Sequence, residues 1–295
     1  MPGTRPGMTP RMRYAVAMKR SRPTQKPLAK FAGTFVLVGA GKMGGAMLDG
    51  WLARGLDPRQ LAVIEPQPGK PVKALARRGA ALNPRDKAAA TAIVIAVKPQ
   101  TAPDALPPLR PYVGKGTLVL SIMAGRTLRF LEQMLSGAAI VRAMPNTPSA
   151  IGRGISVAVA NAKVSARQRR LASDLLAAIG KVEWTSDETL MDAVTAVSGS
   201  GPAYVFLLAE AMTKAGIAAG LPAELAARLA RETVAGSGEL LHRSNLDAAT
   251  LRQNVTSPGG TTAAALEVLM GADGFDALLT KAIAAATKRG RKLAG

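Results

Sequence analysis

Beyond residue 33, the apolar residues of the chain first form short continuous runs and later form long stretches with a helical period. The short runs contain four to six residues and are, in chain order, TFVLV, LAVI, AIVIAV, TLVLSI, AIVRA, ISVAVA and VEWT. Runs of this kind, separated by helical stretches, are typical of parallel strands that are buried on both faces. They predict an α/β fold with an open sheet over residues 34–185.

One helix between these runs has clear end signals in the sequence. We predict that it extends from Ser165 to Ile179, with Ser165 as its N-cap. Gly180 is expected at the C′ position, where a left-handed residue commonly ends a helix.

After Trp184 the apolar runs end, and stretches rich in Ala and Leu follow. The predicted helices cover residues 187–197, 202–219, 222–241, 247–255, 261–271 and 274–290. Pro202 and Pro222 are expected at first helical positions, where a missing N–H is harmless. The pattern therefore predicts a second, all-α domain over residues 186–295. Its apolar faces exceed what one protomer would cover, which suggests dimerisation.

The composition is that of a globular protein without disulfides. Apolar residues make up 48% and charged residues 20%, and no apolar run reaches the ~20 residues of a membrane-spanning helix. The chain has no Cys and one His, so we predict no metal site and a cytoplasmic location. We expect that one histidine, His242, to lie at a helix end without a catalytic role.

Much of the net charge of +20 lies at the start of the chain. Residues 1–33 contain eight Lys or Arg and no acidic residue, among five prolines, which predicts a disordered basic extension. The remaining chain has 31 basic and 19 acidic residues, a net charge of +12, which favours an anionic ligand. The 3% aromatic content argues against nucleic acid as a partner.

The sequence GAGKMG places Gly39, Gly41 and Gly44 in G-x-G-x-x-G spacing between a predicted strand and a predicted helix. In that context the first glycine permits a tight turn, and the second lets a pyrophosphate approach the backbone. The third allows close helix–strand packing, and the N–H groups of the helix N-terminus attract the anion. We therefore predict a Rossmann-type dinucleotide-binding domain. A glycine turn without a ligand is the alternative.

Glu65 ends the second predicted strand, 21 residues after Gly44. A carboxylate at that point accepts hydrogen bonds from a ribose 2′-hydroxyl and repels a 2′-phosphate, which favours NAD. Nearby basic residues, Lys70 and Lys73 among them, have the opposite effect. From these residues alone, the choice between NADPH and NADH stays open.

Two further strand ends are expected to line the cofactor crevice. The stretch AVKPQ places Lys98 after a buried strand, near the nicotinamide, and RAMPNTP places Asn146 after another strand. The complete set of predicted cofactor-binding residues is Gly39, Gly41, Lys42, Met43, Gly44, Glu65, Asn83, Ala96, Val97, Lys98, Pro99 and Asn146.

The stretch NVTSPGGTTAAA, residues 254–265, places a polar loop inside the helical domain. A helix that begins near Thr261 presents unpaired N–H groups, and Gly259 and Gly260 have no side chains to block them. Such a loop suits a carboxylate ligand. The alternative is a turn between two helices whose hydroxyls only cap the second helix.

Together, AVKPQ, MPNTP, SGSGPAYVF and TSPGGTTAAALEVL resemble the pyrroline-5-carboxylate reductase family, in the family's order and over about residues 34–290. The resemblance implies reduction of the cyclic imine 1-pyrroline-5-carboxylate to L-proline, with NADPH as cofactor and NADH as a second choice. It also implies that the helical domain forms homodimers, often within rings of dimers.

The resemblance also implies roles for residues of the polar loop. Ser257, Gly260 and Thr261 would hold the substrate carboxylate, and the hydroxyl of Thr262 would contact the ring nitrogen. Thr262 and Lys98 are our candidate catalytic residues. No strong general acid is needed, because a protonated imine is already electrophilic.

Two other functions fit part of the sequence. A β-hydroxyacid dehydrogenase has a similar layout but needs a lysine early in the central long helix, where this chain has residues 204–208, YVFLL. Lys214 follows too late to serve. A cofactor-binding regulator that holds nucleic acid through the basic extension is the other alternative.

Overall fold

The computed structural model describes residues 26–294. Residues 1–25, most of the predicted disordered extension, lie outside the described residues. The prediction was wrong for the end of that segment: Pro27–Lys30 forms a 3-10 turn, and Leu28 is fully buried. Leu28 belongs to the same hydrophobic cluster as Trp51, and its N–H donates to the carbonyl of Arg54 at 3.2 Å. Burial of this side chain explains why Pro27–Lys30 is held against the domain ahead of the first strand.

The strands are β1 (Phe35–Val38), β2 (Leu61–Ile64), β3 (Ala81–Leu82), β4 (Ala92–Ile95), β5 (Leu118–Ser121), β6 (Ala139–Met144), β7 (Gly154–Ala160) and β8 (Gly180–Trp184). They form one sheet in the order β3-β2-β1-β4-β5-β6-β7-β8. Strands β1 to β6 are all parallel. The chain runs outward from β1 to β3, returns to β4 and runs outward the other way. The sheet therefore has its topological switch point between β1 and β4.

The helices are α1 (Lys42–Ala53), α2 (Lys70–Ala76), α3 (Ala102–Ala105), α4 (Leu128–Met134), α5 (Ala166–Leu176), α6 (Met191–Val194), α7 (Gly201–Ala218), α8 (Ala223–Arg243), α9 (Ala248–Asn254), α10 (Thr261–Leu269) and α11 (Phe275–Ala294). A π-helical turn, Thr195–Gly199, joins α6 to α7. The predicted fold class, a Rossmann-type domain followed by helices, is confirmed. Pro202 is the second residue of α7 and Pro222 is the N-cap of α8, so neither holds the first helical position that we predicted.

Both faces of the sheet carry a hydrophobic cluster. On one face, Trp51 of α1 is fully buried, and its indole N–H donates to the carbonyl of Leu175 in α5 at 3.0 Å. On the other face, residues of α3 and α4 cover β1, β4 and β5. The continuous apolar runs of the central strands follow directly from this double coverage, because both side-chain faces of each strand are buried.

The sheet changes direction at its far edge. β7 pairs antiparallel with β6, and β8 then pairs parallel with β7. Gly180 is the first residue of β8, so its predicted position at the C′ end of α5 was wrong; the C-cap is Ala177. At φ +150°, a side chain on Gly180 would overlap the carbonyl of Gly154 in β7. The glycine is required by strand pairing and not by the helix end. Ser165 does cap α5, in a reciprocal capping box with Gln168.

The described chain divides into two compact units, one of residues 26–206 with 273–294 and the other of residues 207–272. In the first unit, α11 packs against α6 and the π-helical turn, where a Cβ on Gly290 would lie 3.0 Å from an Oδ1 of Asp192. The sheet ends at Trp184, but the unit that contains it also includes residues 185–206 and 273–294, so the compact units do not divide at the predicted boundary near residue 185.

In the second unit, the helices leave most of their apolar side chains exposed. Ala226 and Ala230 of α8 are the buried residues among those described in this unit. Large apolar side chains are exposed on α7, α8 and α10, including Leu229 at 49% and Val268 at 76%. Of the described helices, none combines the length and apolarity that crossing a membrane requires.

Candidate active site

The glycine loop between β1 and α1 is fixed by close backbone packing. Gly39 has φ +88°, and its N–H donates to the carbonyl of Ile64 at 2.9 Å. A Cβ on Gly39 would lie 2.8 Å from the carbonyl oxygen of Ala96, and a Cβ on Gly44 would overlap the carbonyl oxygen of Gly39. Any side chain at either position would therefore push β1, β4 and α1 apart.

Gly41 is the N-cap of α1 and differs from the other two glycines. No heavy atom lies within 4 Å of a Cβ built on Gly41, and no side chain caps the helix. The backbone at the N-terminus of α1 is therefore unobstructed at Gly41. A helix N-terminus with an unobstructed backbone is suited to bind a phosphate group.

Glu65 directs its carboxylate at this loop from the end of β2. One of its oxygens accepts from the N–H of Ala40 at 2.8 Å, and the other accepts from the N–H of Gln67 at 3.1 Å. The side chain of Asn83 bonds to both backbone polar groups of Glu65. Its Oδ1 accepts from the Glu65 N–H at 2.9 Å, and its Nδ2 donates to the Glu65 carbonyl at 3.0 Å. Asn83 takes a left-handed conformation, φ 47°, to do so.

A cleft of about 610 Å³ opens beside Glu65, between β2 and the segment that follows β4. We call it the β2-side cleft. Its walls include Glu65, Pro66, Asn83, Lys87, Pro108 and Tyr112. Lys98 also lines it, as do Gly39 and Gly41 of the glycine loop.

A smaller cleft of about 250 Å³ lies on the other side of the β1–β4 switch point. We call it the β6-side cleft. It is lined by Met43, Pro99, Met123, Met144, Asn146 and Gly199. Ala96 and Val97, at the end of β4, line both clefts. The two clefts are therefore adjacent along the carboxyl ends of the strands, where a Rossmann fold holds the two halves of a dinucleotide.

The turn after β4 is held by a residue that the sequence did not single out. Arg126 donates from Nε and from a terminal nitrogen to the carbonyl of Pro99, at 3.0 and 2.8 Å. The carbonyl of Lys98 accepts from the Thr101 hydroxyl at 2.9 Å. These bonds fix the backbone that both clefts share. No sequence motif distinguishes Arg126 from the other arginines, so only the fold identifies it.

Two other predicted residues have distinct surroundings. Asn146 accepts from the N–H of Ile155 through its Oδ1, at 3.0 Å, so its side chain orients the loop after β6. Lys42 lines neither of the two clefts; it faces a separate cavity of about 540 Å³ between α1 and α2. Of the predicted cofactor residues, Lys42 and Gly44 line neither cleft, although Gly44 packs against Gly39 and Ala96; the others line one cleft or both.

The predicted substrate-binding loop lies in the second unit, at the start of α10. Gly259 has φ +67°, Gly260 is the N-cap, and the Gly260 N–H donates to the carbonyl of Ser257 at 3.1 Å. No side chain caps α10 among the described residues. The alternative in which the loop hydroxyls cap this helix was therefore wrong. Thr261 and Thr262 are its first two residues.

The other two candidate functional residues lie on the helices. Lys214 of α7 forms an exposed ion pair with Glu210, at 2.6 Å, one turn earlier on the same helix. His242 lies in the last turn of α8, as predicted.

The strand order, the glycine loop and the paired clefts define a Rossmann-type oxidoreductase that takes a nicotinamide dinucleotide. Residues 34–125 match the model of the family described as NADP oxidoreductase coenzyme F420-dependent, and residues 188–293 match the model for pyrroline-5-carboxylate reductase dimerisation. The chain belongs to the pyrroline-5-carboxylate reductase family.

Individual relatives cover nearly the whole chain. The pyrroline-5-carboxylate reductase of Pseudomonas aeruginosa is 41% identical over 261 residues, which are 87% of this chain and 95% of the relative. The enzyme of Pisum sativum is 35% identical, over 90% of this chain and 98% of its own length. Among solved structures, the Coxiella burnetii enzyme has a TM-score of 0.82 at 34% identity, over 90% of this chain and 100% of that one. A Plasmodium falciparum structure with NADP bound has a TM-score of 0.72 at 30% identity, over 89% and 98%.

Proposed function

We propose that this chain reduces 1-pyrroline-5-carboxylate to L-proline, with NADPH as the first hydride donor and NADH as a second one. The observation that carries the proposal is the 41% identity to the Pseudomonas aeruginosa enzyme, over 95% of that relative. NADPH is placed first because the Plasmodium falciparum relative is described with NADP bound. Glu65 is the residue that favours NADH, because its carboxylate faces the region where the adenine ribose would bind.

The residues present fit a dinucleotide. Gly41 leaves the N-terminus of α1 open for the pyrophosphate, and the β2-side and β6-side clefts continue from it in opposite directions. By the strand order, the adenosine half belongs in the β2-side cleft and the nicotinamide half in the β6-side cleft. A reduced nicotinamide bound there would supply the hydride for the imine carbon.

For the substrate, we propose that Ser257, Gly260 and Thr261 hold the carboxylate at the start of α10. The uncapped N-terminus of that helix supports this role, since it contributes ~0.3–1 kcal/mol toward an anion. Each charge-assisted hydrogen bond adds roughly 1.5–3 kcal/mol. Thr262 would accept a hydrogen bond from the protonated ring nitrogen and so orient the imine. Lys98 lines the β2-side cleft and not the β6-side cleft, so it would contribute positive charge on the adenosine side of the cofactor; its predicted position near the nicotinamide is not supported.

The alternatives have less support. A β-hydroxyacid dehydrogenase needs a free lysine in the long helix, and Lys214 is engaged with Glu210 on an exposed face. A regulator that binds nucleic acid would depend on a basic extension of which residues 1–25 lie outside the described part of the chain. No structural observation favours that regulator over a reductase.

We also propose that the protein forms a homodimer or a ring of dimers, in the cytoplasm. The match of residues 188–293 to a dimerisation model supports an oligomer, and so do the exposed apolar side chains of α8 and α10. The absence of cysteine from the chain suits a reducing compartment. Size-exclusion chromatography with light scattering tests the assembly, and a monomeric mass would exclude it.

The direct test is an assay that follows loss of reduced-nicotinamide absorbance with 1-pyrroline-5-carboxylate and each cofactor. Turnover with at least one cofactor is expected, and proline should appear in equal amount. An enzyme that oxidises neither NADPH nor NADH in the presence of this imine would not have the proposed function.

A variant test addresses the substrate site. We expect Thr262→Ala to lower kcat/KM by about ten- to a hundredfold, the loss of one hydrogen bond to a charged group. Thr262→Ser should restore most of it. Thr213→Ala is the matched control, because its hydroxyl bonds only to the carbonyl of Ala209 in the same helix. Equal kcat/KM in Thr262→Ala and wild type would remove Thr262 from the site.

A further inference from the structure

The β2-side cleft has a buried hydroxyl in its wall that lacks a partner. Tyr112 is only 2% exposed, and its hydroxyl makes no hydrogen bond to any described residue. Buried side-chain polar atoms are nearly always hydrogen-bonded in folded proteins. The described residues contain two other such atoms, on Arg54 and Ser149, and neither of those residues lines this cleft. Tyr112 therefore combines an unmet hydrogen-bonding capacity with a position in a ligand-sized space.

The position of Tyr112 is fixed by its backbone and by its ring. It ends the 3-10 turn Pro107–Tyr112, and its carbonyl accepts from the N–H of Ala90 at 2.8 Å. Its ring packs in the hydrophobic cluster that includes Val36 and Ile93, on the face of the sheet beneath the cleft. The side chain that carries the unpartnered hydroxyl is thus held in place by its surroundings, and Tyr112 is one of the residues that line the cleft.

The strand order determines which part of a dinucleotide fills this cleft. Glu65 at the end of β2 marks the ribose of the adenosine half, and Pro66 and Asn83 lie on the same side. The nicotinamide half lies on the opposite side of the glycine loop. The group that enters the cleft between β2 and Tyr112 is therefore the adenine base.

We propose that the Tyr112 hydroxyl hydrogen-bonds to the adenine base of the bound dinucleotide and is a specificity-determining contact of the cofactor site. This inference rests on the proposed function for the identity of the cofactor. A purine edge offers ring nitrogens as acceptors and an amino group as donor, and a phenol can serve as donor or acceptor. Burial raises the pKa of Tyr112, so its hydroxyl keeps its proton at neutral pH and stays able to donate.

Tyr112→Phe tests the inference by binding and by thermal melting, without turnover. The Kd for NADPH, measured by calorimetry, should rise about three- to tenfold, as for the loss of one neutral hydrogen bond. The Kd for reduced nicotinamide mononucleotide, which has no adenine, should not change. In the absence of cofactor the variant should melt at a higher temperature than wild type, because a buried hydroxyl without a partner has been removed.

Tyr204→Phe is the matched control. The Tyr204 hydroxyl has a partner, the carbonyl of Ala196 at 3.0 Å, and Tyr204 lines neither cleft. This variant should melt at a lower temperature and bind NADPH as wild type does.

An unchanged Kd for NADPH in Tyr112→Phe, with either direction of melting shift, would overturn the inference. An equal loss of affinity for the adenine-free mononucleotide would overturn it too. If Tyr112→Phe fails to fold, the test uses the wild-type protein and an analogue of NADPH in which hypoxanthine replaces adenine. The hydrogen-bonding edge of hypoxanthine differs from that of adenine, so the Kd for this analogue should be higher than the Kd for NADPH. A wild-type protein that binds NADPH but does not reduce the imine contradicts the proposed function alone.

Discussion

A methyl group added at Gly41 or at Gly44 should have opposite consequences, although the two positions are three residues apart. At Gly44 a Cβ would overlap the carbonyl oxygen of Gly39 and lie 3.3 Å from the Cβ of Ala96. At Gly41 the same Cβ would meet no heavy atom within 4 Å. Gly44→Ala should therefore destabilise the fold, and Gly41→Ala should weaken cofactor binding with little effect on the fold.

The structure sets the size of each effect. The atom that opposes a side chain at Gly44 belongs to the backbone, which cannot turn away as a side chain can. Gly44→Ala should thus lower the free energy of unfolding by at least the ~1–3 kcal/mol typical of overpacked cores. At Gly41 the backbone φ of −69° is one that alanine adopts readily. Alanine is a poorer N-cap residue than glycine, which lowers stability, but it also reduces the conformational entropy of the unfolded chain, which raises stability. We expect a change within about 0.5 kcal/mol there.

For cofactor binding, Gly41→Ala places a methyl group where the pyrophosphate must approach the backbone. The Kd for NADPH should rise at least about tenfold, or ~1.4 kcal/mol. Urea denaturation and calorimetric titration measure the two quantities separately. Gly45→Ala is the control, because its Cβ has only an ordinary contact, 3.8 Å from the Ala40 carbonyl. Wild-type stability in Gly44→Ala would refute the packing argument, and a wild-type Kd in Gly41→Ala would refute the position of the pyrophosphate.

Two further predictions concern the β6-side cleft and α5. In Gly199→Ala the new Cβ would lie 2.6 Å from the terminal carbon of Met144, so this side chain should be displaced within the cleft. kcat should fall by between about ten- and a hundredfold with an unchanged Kd for NADPH, and Met144→Ala should restore it in the double variant. Burial raises the pKa of Asp174 above 3.8, against the opposing charges of Arg54 and Arg170. The folded state then binds the proton more tightly, so stability falls as pH rises from 3.8 through the raised pKa, and the deficit persists at neutral pH. Asp174→Asn should therefore be more stable than wild type in urea at pH 7, and the difference should disappear below the unfolded pKa; equal stability at pH 7 would contradict it.

Seven of the eight strands could be predicted. Burial leaves an apolar run in the sequence of six of them, and β8, GKVEW, alternates half-buried and exposed residues. The exception, β3, has two residues, Ala81 and Leu82, which are too few to form a recognisable run. The direction of β7 was not predictable either. Whether a strand pairs parallel or antiparallel depends on the path of the connection that leads back to the sheet. The apolar run of the strand itself does not indicate that direction. Gly180 shows the same limit: its role comes from Gly154, 26 residues earlier and adjacent only in the sheet.

In the candidate site, too, some residues could be predicted from the sequence and others could not. Gly39, Gly41 and Gly44 are close in sequence, so their spacing alone predicts a turn, a binding position and a packing position. Tyr112 and Gly199 carry no such signal, because each acquires its role from residues that the fold brings near it. An unpartnered hydroxyl is a property of a tertiary environment, and a glycine in a π-helical turn matters only once Met144 lies against it. Local motifs therefore predict where the pyrophosphate of the cofactor binds. The residues proposed to contact the adenine base and to orient the nicotinamide ring can be identified only from the tertiary structure.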